Sequence, residues 1–337
     1  MRFLVWGAGA IGGTVGAYLA RAGHEVVFVD RAVDHVDAIV RAGISITGPI
    51  DQFTVNAHAF TPETVTGHFD HILLCVKAQD TADAARALAP HLSEGGYVVS
   101  LQNGLNELVI AGVVGRERTV GAFVNFGADY LEPGLVLYGG RGAVVLGELD
   151  GRRTERIAAL HDALQAFEPN AIVTDNIWGY LWGKLAYGAQ LFATAVTNDS
   201  IADCLADPAY YDVYIAVAQE VMRVALANGV TPQGFNGFDP FAFMPETPRE
   251  ESLRSLDEMV AFNRKSAKTH SGIWRDLAVR KRRTEVDAQL GPIVAIGAQL
   301  GVPTPLTARL VELIHDIEEG RRPLQTANLD ELAALLG

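Results

Sequence analysis

Cysteine and basic residues are both scarce in this chain. Only two of the 337 residues are cysteines, Cys75 and Cys204, which excludes a disulfide framework and a C-x-x-C metal motif and predicts a cytoplasmic protein. Lys and Arg number 27 against 40 Asp and Glu, so the net charge is −13. An acidic chain lacks the basic face that nucleic acids require, and we expect none as a partner. A small anionic substrate is compatible with this charge, because a few local cations can hold it.

Long apolar runs and clustered metal ligands are also lacking. The stretch from Phe3 to Ala20 has no charge, but Gly7, Gly9 and Gly12 interrupt it, which is typical of a strand, a turn and a helix and not of a membrane segment or leader. The nine histidines are scattered along the chain, so we predict no metal site.

The first half of the chain alternates short β-branched runs with helical patterns, and its length suits two domains. Buried parallel strands read as continuous apolar runs, and their alternation with helices predicts right-handed crossovers. We therefore predict an α/β fold with an N-terminal Rossmann-type doubly wound sheet. The predicted strands are 2–6, 25–30, 72–76 and 97–101, with a helix at 81–92.

From residue 119 to residue 149 the pattern changes to antiparallel strands, in three segments separated by Pro-Gly and Gly-Gly turns. A helix at 153–167 and a short strand at 171–174 follow. Beyond these, only long amphipathic helical patterns remain, which predicts an all-helical C-terminal domain. We place the domains at 1–174 and 175–337. The predicted helices of the second domain are 177–194, 211–227, 253–267, 272–300 and 307–319.

The hexapeptide Gly-Ala-Gly-Ala-Ile-Gly at 7–12 is the strongest motif, because it follows a predicted strand and opens a predicted helix. In that setting Gly7 permits a tight turn, Gly9 lets a pyrophosphate approach the backbone, and Gly12 allows close packing of helix on strand. Ala10 and Ile11 complete the expected phosphate-binding turn. The motif predicts that residues 1–174 bind a nicotinamide dinucleotide.

Two neighbouring residues favour different forms of that cofactor. Asp30 ends the second predicted strand, where a carboxylate can bind a ribose 2′-hydroxyl and repel a 2′-phosphate, which favours NAD. Arg31 could pair with a 2′-phosphate instead, which favours NADP, or it could be an ordinary loop arginine. The cofactor is therefore NAD or NADP.

Two further candidates follow strands of the predicted parallel sheet, at the carboxyl ends where open α/β sheets bind ligands. Lys77 follows the strand at 72–76, and Asn103 follows the strand at 97–101. The Asn103 amide suits a carboxamide or a substrate oxygen. An equally weighted alternative is that Asn103 and Gly104 only turn the chain into the next helix.

Three candidates lie in the helical half. Lys184 is the only charged residue between Asp175 and Asp199, and desolvation there would lower its pKa toward that of a proton donor near neutrality. The alternative, equally weighted, is a lysine that reaches water from a packed helix. By composition alone, Glu285 fits a solvated charged turn, and Ser271 fits a helix N-cap.

Taken together, these motifs resemble the ketopantoate reductase (2-dehydropantoate 2-reductase) family over essentially the whole chain. Each motif is short, but their order and spacing across both halves are specific. They are G-A-G-A-I-G at 7–12, V-K at 76–77, Q-N-G at 102–104, W-G-K-L at 182–185, H-S-G-I-W-R-D at 270–276, T-E-V-D at 284–287 and G-V-P-T-P at 301–305.

The resemblance implies a nucleotide-binding domain joined to a helical substrate and dimerisation domain, a homodimer, and an active site in the cleft. It implies NAD(P)H-dependent reduction of a 2-oxo acid to a 2-hydroxy acid, foremost ketopantoate to pantoate. By this resemblance Lys184 is the general acid and Glu285 contacts the substrate. Asn103 helps to place substrate and nicotinamide, and Ser271 lies near the substrate carboxylate.

The chain departs from the family pattern on the face of the lysine helix. Family members usually carry asparagines one and two turns after the lysine, where this chain has Gly188 and Phe192. The first removes a polar group, and the second is expected to form an aromatic wall. Asn198 lies nearby in sequence and is a substitute candidate for substrate binding. Two alternatives follow: a relative that uses NAD and a bulkier hydroxy acid, and a nucleotide-binding regulator without turnover.

Overall fold

The computed structural model describes residues 1–235, 237–265 and 269–337. The chain forms two compact units, Met1–Ile177 and Trp178–Gly337. The predicted end of one helix, at residues 266–267, lies outside the described residues. Among the described residues no helix is long and apolar enough to span a membrane.

The first unit combines ten strands with five helices. The strands are β1 (Arg2–Trp6), β2 (Glu25–Val29), β3 (Ile44–Thr47), β4 (Phe53–Val55), β5 (His58–Phe60), β6 (Phe69–Leu74), β7 (Leu92–Ser100), β8 (Thr119–Glu132), β9 (Leu135–Glu148) and β10 (Ile172–Val173). The helices are α1 (Ala10–Arg21), α2 (Val33–Ala42), α3 (Thr81–Leu88), α4 (Asn106–Val114) and α5 (Glu155–Leu164).

The strands form one mixed sheet in the order β4-β3-β9-β8-β7-β6-β1-β2-β5, with β10 paired to β9. Strands β7, β6, β1, β2 and β5 are parallel to their neighbours. The chain leaves β1 toward β2 and later returns to its other side with β6. The switch of direction therefore lies at the carboxyl end of β1, where open α/β sheets bind ligands.

Both faces of this sheet are covered, as the continuous apolar runs predict. Along β1, Phe3 and Val5 point into one apolar core and Leu4 and Trp6 into the other, because side chains alternate across a strand. All four are at most 3% exposed. The predicted α/β fold is confirmed, and its central strand begins and ends at the predicted residues.

The antiparallel region differs from the prediction. It consists of two long strands, β8 and β9, joined at Pro133-Gly134, and not of three segments. Gly139-Gly140 does not turn the chain. Gly140 pairs with Gly127 where the register of β8 and β9 shifts, because glycines inside a strand accommodate a bulge as readily as a turn.

The predicted boundaries of one helix and two strands in the first unit were also wrong. The helix predicted at 81–92 ends at Leu88, and β7 begins at Leu92, well before the predicted strand start. The strand predicted at 72–76 is Phe69–Leu74, so residues 75 and 76 belong to the loop at its carboxyl end. Helix α2 and strands β3 to β5 were not predicted.

The described part of the second unit contains helices and no strand. The helices are α6 (Ile177–Thr194), α7 (Ile201–Ala206), α8 (Tyr211–Ala227), α9 (Arg249–Lys265), α10 (Gly272–Trp274), α11 (Val286–Gln289), α12 (Gly291–Leu300), α13 (Pro305–Glu318) and α14 (Ala327–Ala334). The first residue of α6 belongs to the first unit. The two helices predicted at 177–194 and 211–227 have the predicted bounds.

The single helix predicted at 272–300 was wrong. The segment holds α10, a π-helical turn at Arg275–Val279, an irregular stretch, α11 and α12. In the irregular stretch Lys281 has a φ of +49°, which is outside the α-helical range for an L-residue. Arg280 and Arg282 both pair with Asp276 at 3.0 and 2.9 Å, an arrangement that folds the basic run back on the preceding turn.

Candidate active site

The loop after β1 has the geometry of a phosphate-binding turn. Gly7 has a φ of +99°, and a Cβ on Gly12 would lie 2.0 Å from the Gly7 carbonyl oxygen and 2.9 Å from the Val5 side chain. Both positions therefore require glycine, since a methyl group would overlap the backbone or the strand. A Cβ on Gly9 would meet no atom within 4 Å, so the space above Gly9 is open.

Helix α1 begins at Ala10, directly behind this open space. Its N-cap is Gly9, and no side chain caps the first turn. The N–H groups of that turn have no partner within the helix, and they carry the positive end of the helix dipole. Ala10 and Ile11 are half-buried. These residues fit the pyrophosphate of a dinucleotide, which would occupy the space above Gly9.

Ala8 of this loop is held from two sides. Its N–H donates to Asp30 Oδ2 at 2.9 Å, and its carbonyl oxygen lies 2.9 Å from His35 Nε2. The N–H of Gly134 donates to His35 Nδ1 at 2.9 Å. Because Nδ1 accepts, Nε2 carries the proton and donates to Ala8.

His35 was not singled out from the sequence, although its role in the loop is clear from the structure. It is 1% exposed and lies on α2 beside the buried Val36 and Ile39. A histidine within an apolar helical stripe is the signal that could have identified it.

The two residues proposed to discriminate between cofactors have different environments. Asp30 is half-buried, and its other oxygen accepts from the Ala32 N–H at 3.0 Å. Arg31 pairs with Asp80 at 3.3 Å, with its side chain 79% exposed. Asp30 is thus fixed at the end of β2, whereas Arg31 is a solvent-exposed loop arginine that already has an acidic partner.

Lys77 and Asn103 lie in the loops that follow β6 and β7. Lys77 is exposed and precedes the 3₁₀ turn at Ala78–Asp80, and Asn103 is half-buried. Within the described part of the first unit, no residue is hydrogen-bonded to the Asn103 side-chain amide.

A buried polar network joins these two loops. The Gln102 side chain, 5% exposed, donates to the Val76 carbonyl at 2.9 Å and to Thr81 Oγ1 at 2.7 Å. Asn106 Nδ2 donates to the Asn103 carbonyl at 2.5 Å. The backbone of Asn103 is therefore fixed while its amide group stays available for a ligand.

In the second unit, Lys184 and Glu285 are brought together. Lys184 lies on α6 between the buried Trp182 and Ala186 and is itself half-buried. Burial lowers the pKa of Lys184 from 10.5 to about 8, and the negative charge of Glu285 opposes this shift by raising that pKa. Residues 101 positions apart in sequence thus lie close enough to interact through their charges.

The backbone on both sides of Glu285 is fixed by a neighbouring pair. Thr284 donates from its N–H and from Oγ1 to Glu318 Oε1, both at 2.7 Å. Thr284 Oγ1 also accepts from the Val286 N–H at 3.2 Å. Glu285 occupies the N-cap position of α11, so it does not lie in a long solvated helix.

The remaining substrate-site candidates have structural contacts of their own. Ser271 is 6% exposed, and its Oγ accepts from the Trp274 N–H at 3.1 Å as the N-cap of α10. Asn198 is exposed, and its Nδ2 donates to the Leu324 carbonyl at 3.1 Å. The structure thus supports the helix-cap role of Ser271, and it ties Asn198 to the segment that follows α13.

The expected aromatic wall at Phe192 was wrong. Phe192 is 0% exposed, so it packs inside the second unit and lines no open pocket. Gly188, one turn nearer to Lys184, is half-buried. A Cβ on Gly188 would have a single neighbour within 4 Å, the side-chain oxygen of Gln289 at 3.5 Å.

The match to family models decides what the chain is. The model described as "Ketopantoate reductase PanE/ApbA" matches residues 3–151, and the model of its C-terminal part matches residues 176–318. The chain belongs to the ketopantoate reductase PanE/ApbA family. It is therefore an oxidoreductase, and the resemblance inferred from the motifs is confirmed.

Individual relatives cover almost the whole chain. A 2-dehydropantoate 2-reductase from Archaeoglobus fulgidus is 29% identical over 321 residues, which is 95% of this chain and 98% of the relative. The crystal structure of a PanE/ApbA family ketopantoate reductase from Ralstonia eutropha JMP134 has a TM-score of 0.80 and 28% identity, and covers 95% of this chain and 99% of that one.

A solved structure with a different name shares the fold. D-mandelate dehydrogenase, in a ternary structure with NADH and anilino(oxo)acetate, has a TM-score of 0.81 at 24% identity and covers 95% of this chain and 99% of that one. The fold of this reductase family therefore also occurs in an enzyme named for another 2-hydroxy acid.

Proposed function

We propose that this protein reduces a 2-oxo acid to the 2-hydroxy acid with a nicotinamide dinucleotide, and that its foremost substrate is ketopantoate, which yields pantoate. The observation that carries this proposal is the pairing of Lys184 with Glu285, because it places a lysine with a pKa of about 8 beside a carboxylate. Reduction of a ketone requires a proton donor at the ketone oxygen.

When bound, the dinucleotide supplies the hydride that the carbonyl carbon accepts. The Lys184 ammonium donates a hydrogen bond to the ketone oxygen and transfers its proton as negative charge develops there, which gives the hydroxyl group and a neutral amine. Glu285 favours the charged ammonium before the transfer. The open turn above Gly9 and the first turn of α1 would hold the pyrophosphate.

The other candidate residues have supporting roles in this proposal. Asn103 places the nicotinamide and the substrate, and Lys77 and Ser271 contribute to binding at the cofactor and at the substrate carboxylate. Asn198 has the weakest support, since its amide nitrogen is bound to the Leu324 carbonyl. The first unit serves as the dinucleotide-binding domain and the second as the substrate domain of a homodimer.

We propose that NADH is preferred to NADPH. The Asp30 carboxylate ends β2, where a ribose 2′-hydroxyl can donate to it and a 2′-phosphate is repelled. Arg31 has Asp80 as its acidic partner, so binding a phosphate would require it to leave that contact.

A second candidate is reduction of a different 2-oxo acid. Gly188 supports it, because one turn after Lys184, on the same face of α6, this chain carries no side chain where family members usually carry an asparagine. The same enzyme chemistry applies to both candidates.

The proposal is tested by replacing the proton donor. Purified protein is incubated with a panel of 2-oxo acids that includes ketopantoate, with NADH and NADPH separately, and absorbance at the nicotinamide band is followed. We expect Lys184→Met to lower kcat by about 10²- to 10⁴-fold, the usual contribution of a general acid, while NADH affinity stays unchanged. The control is Lys265→Met, since Lys265 is an exposed lysine of α9.

A Lys184→Met variant that keeps kcat within tenfold of the wild type would overturn the general-acid role. If the wild type binds dinucleotide but reduces no 2-oxo acid, the proposed reaction is wrong. Turnover of other 2-oxo acids without ketopantoate would support the second candidate.

A further inference from the structure

Helix α6 and the segment that leads into α11 approach each other at two levels along α6. The first is the level of Lys184, and the second, one helical turn further on, is the level of Gly188. At the first level, Lys184 and Glu285 interact through their charges. At the second level, four residues further along each segment, the side-chain oxygen of Gln289 lies 3.5 Å from the Cβ position of Gly188. The Gln289 N–H donates to the Glu285 carbonyl at 2.9 Å, so the two levels are one helical turn apart.

The side chain of Gln289 is therefore on the same side as the reacting groups. Residues four apart on a helix share one face, which places Gly188 above Lys184 and Gln289 above Glu285. Gly188 contributes no side chain, so the Gln289 carboxamide is the polar group that reaches this position.

Nothing in the described residues of the second unit satisfies this carboxamide. Gln289 is half-buried, and no described residue there is hydrogen-bonded to its side-chain amide. The amide of a half-buried side chain can bind water, and it can exchange that water for a ligand group. A partner for the Gln289 amide must come from water or from a bound ligand.

We propose that the Gln289 carboxamide binds a hydroxyl group on the carbon chain of the substrate and so selects hydroxylated 2-oxo acids. This rests on the proposed reduction, with the ketone oxygen at Lys184. A neutral amide both donates and accepts, and a hydroxyl group does the same, whereas a carboxylate is held better by a cation. One helical turn is about 5.4 Å, which is within reach of a hydroxyl group two carbons beyond the ketone carbon.

The experiment compares two substrates that differ by one oxygen atom. Ketopantoate carries a hydroxyl group two carbons beyond its ketone, and 3,3-dimethyl-2-oxobutanoate is the same molecule without it. The ratio of kcat/KM for the two is measured in the wild type, in Gln289→Leu, which removes the hydrogen bond at similar volume, and in Gln289→Asn, which withdraws the amide by one methylene. Gln219→Leu is the control, since Gln219 is a half-buried glutamine of α8.

We expect Gln289→Leu to lower kcat/KM for ketopantoate by about 10- to 100-fold, the cost of leaving a polar group unpaired, and to change the value for the deoxy substrate by less than about threefold. Gln289→Asn should give an intermediate ratio. NADH affinity and the melting temperature, measured on each variant, report whether the fold is intact.

The outcomes separate this inference from the reaction on which it rests. Wild-type protein that reduces no 2-oxo acid would overturn both. Turnover with the same substrate ratio in the wild type and Gln289→Leu would overturn the Gln289 assignment alone. Equal losses for both substrates would also overturn it, because they would place the amide at the carboxylate or at the ketone, which the two substrates share.

Discussion

The charge of Lys184 is set by two opposing effects at one side chain. Burial among apolar residues of α6 destabilises the ammonium, and the Glu285 carboxylate stabilises it. The resulting pKa of about 8 leaves the group mostly protonated at neutral pH and yet able to give up its proton. A lysine at its ordinary pKa would be a weaker acid, and without Glu285 the pKa of Lys184 would be lower still.

The pH dependence of the reaction follows from this balance. Reduction requires protonated Lys184, so we expect kcat/KM for reduction to fall about tenfold per pH unit above a pH of about 8. Oxidation of the 2-hydroxy acid requires the neutral amine and should rise through the same pH. In Glu285→Gln the carboxylate no longer raises the pKa of Lys184, so the midpoint of the pH–rate profile should move to lower pH.

The measurement is a pH–rate profile from about pH 6 to pH 10 in both directions, compared between the wild type and Glu285→Gln. Only the midpoints are compared, because Glu285 is proposed to contact the substrate and its loss is expected to lower the overall rate as well. A midpoint that does not move in Glu285→Gln would show that the two residues are not coupled.

A functional residue could be predicted from the sequence only where its neighbours in the sequence make it stand out. Lys184 is the one charge in an apolar run, and physical reasoning could single it out. The part of Glu285 came only from the family resemblance, and its interaction with Lys184 was not predicted. Neither His35 nor Gln289 was singled out. Their significance depends on contacts with residues distant in sequence: His35 binds Ala8, and Gln289 lies beside Gly188. Hydrophobic periodicity does not reveal such contacts.

The element from β1 through the glycine turn to α1 shows why some local structure was predictable. Alternating burial along β1 and the glycine spacing both follow from backbone geometry, and the strand has the predicted bounds. The segment 272–300 was misjudged, because helical periodicity alone does not register the left-handed Lys281 or the pairing of two arginines with Asp276.

The glycine turn can be tested without any substrate. A Cβ on Gly9 would meet no protein atom within 4 Å, so Gly9→Ala should fold normally, with a melting temperature close to that of the wild type. The added methyl group would nonetheless project into the space that we assign to the pyrophosphate, and we expect NADH affinity to fall about 10- to 100-fold, as overpacking of a close contact does.

The matched control is Gly95→Ala, since a Cβ there would also meet nothing within 4 Å. Dinucleotide binding is measured by fluorescence titration of both variants. If Gly9→Ala binds NADH as tightly as Gly95→Ala does, the pyrophosphate does not lie above Gly9 and the assignment of this turn is wrong.

At the scale of the whole molecule, the net charge of −13 opposes every anionic ligand that the protein binds. NADPH carries the additional 2′-phosphate, so this unfavourable field acts on it more strongly than on NADH. Local groups must therefore decide the preference, and at the end of β2 the fixed charge is the carboxylate of Asp30, held by the Ala8 and Ala32 N–H groups.

Cofactor preference should be visible as a difference in thermal stability. A ligand that binds only the folded state at 100 times its Kd stabilises that state by about 2.7 kcal/mol, so NADH should raise the melting temperature more than NADPH at the same concentration. In Asp30→Asn the repulsion of the 2′-phosphate is removed, and we expect the two shifts to converge, with a smaller NADH shift and a larger NADPH shift. Asp34→Asn, at an exposed carboxylate of α2, should leave both shifts unchanged.

The Arg31→Ala variant tests whether Arg31 binds the 2′-phosphate of NADPH. Since Arg31 is exposed and paired with Asp80, its removal should leave the NADH shift unaltered and should not reduce the NADPH shift. The preference for NADH would be wrong if Arg31→Ala lost the rise in melting temperature caused by NADPH while Asp30→Asn left the NADH and NADPH rises as different as in the wild type. In that case the Arg31 guanidinium would leave Asp80 to bind the 2′-phosphate, and the protein would use NADPH. The same two variants therefore decide between the cofactors without reference to any substrate.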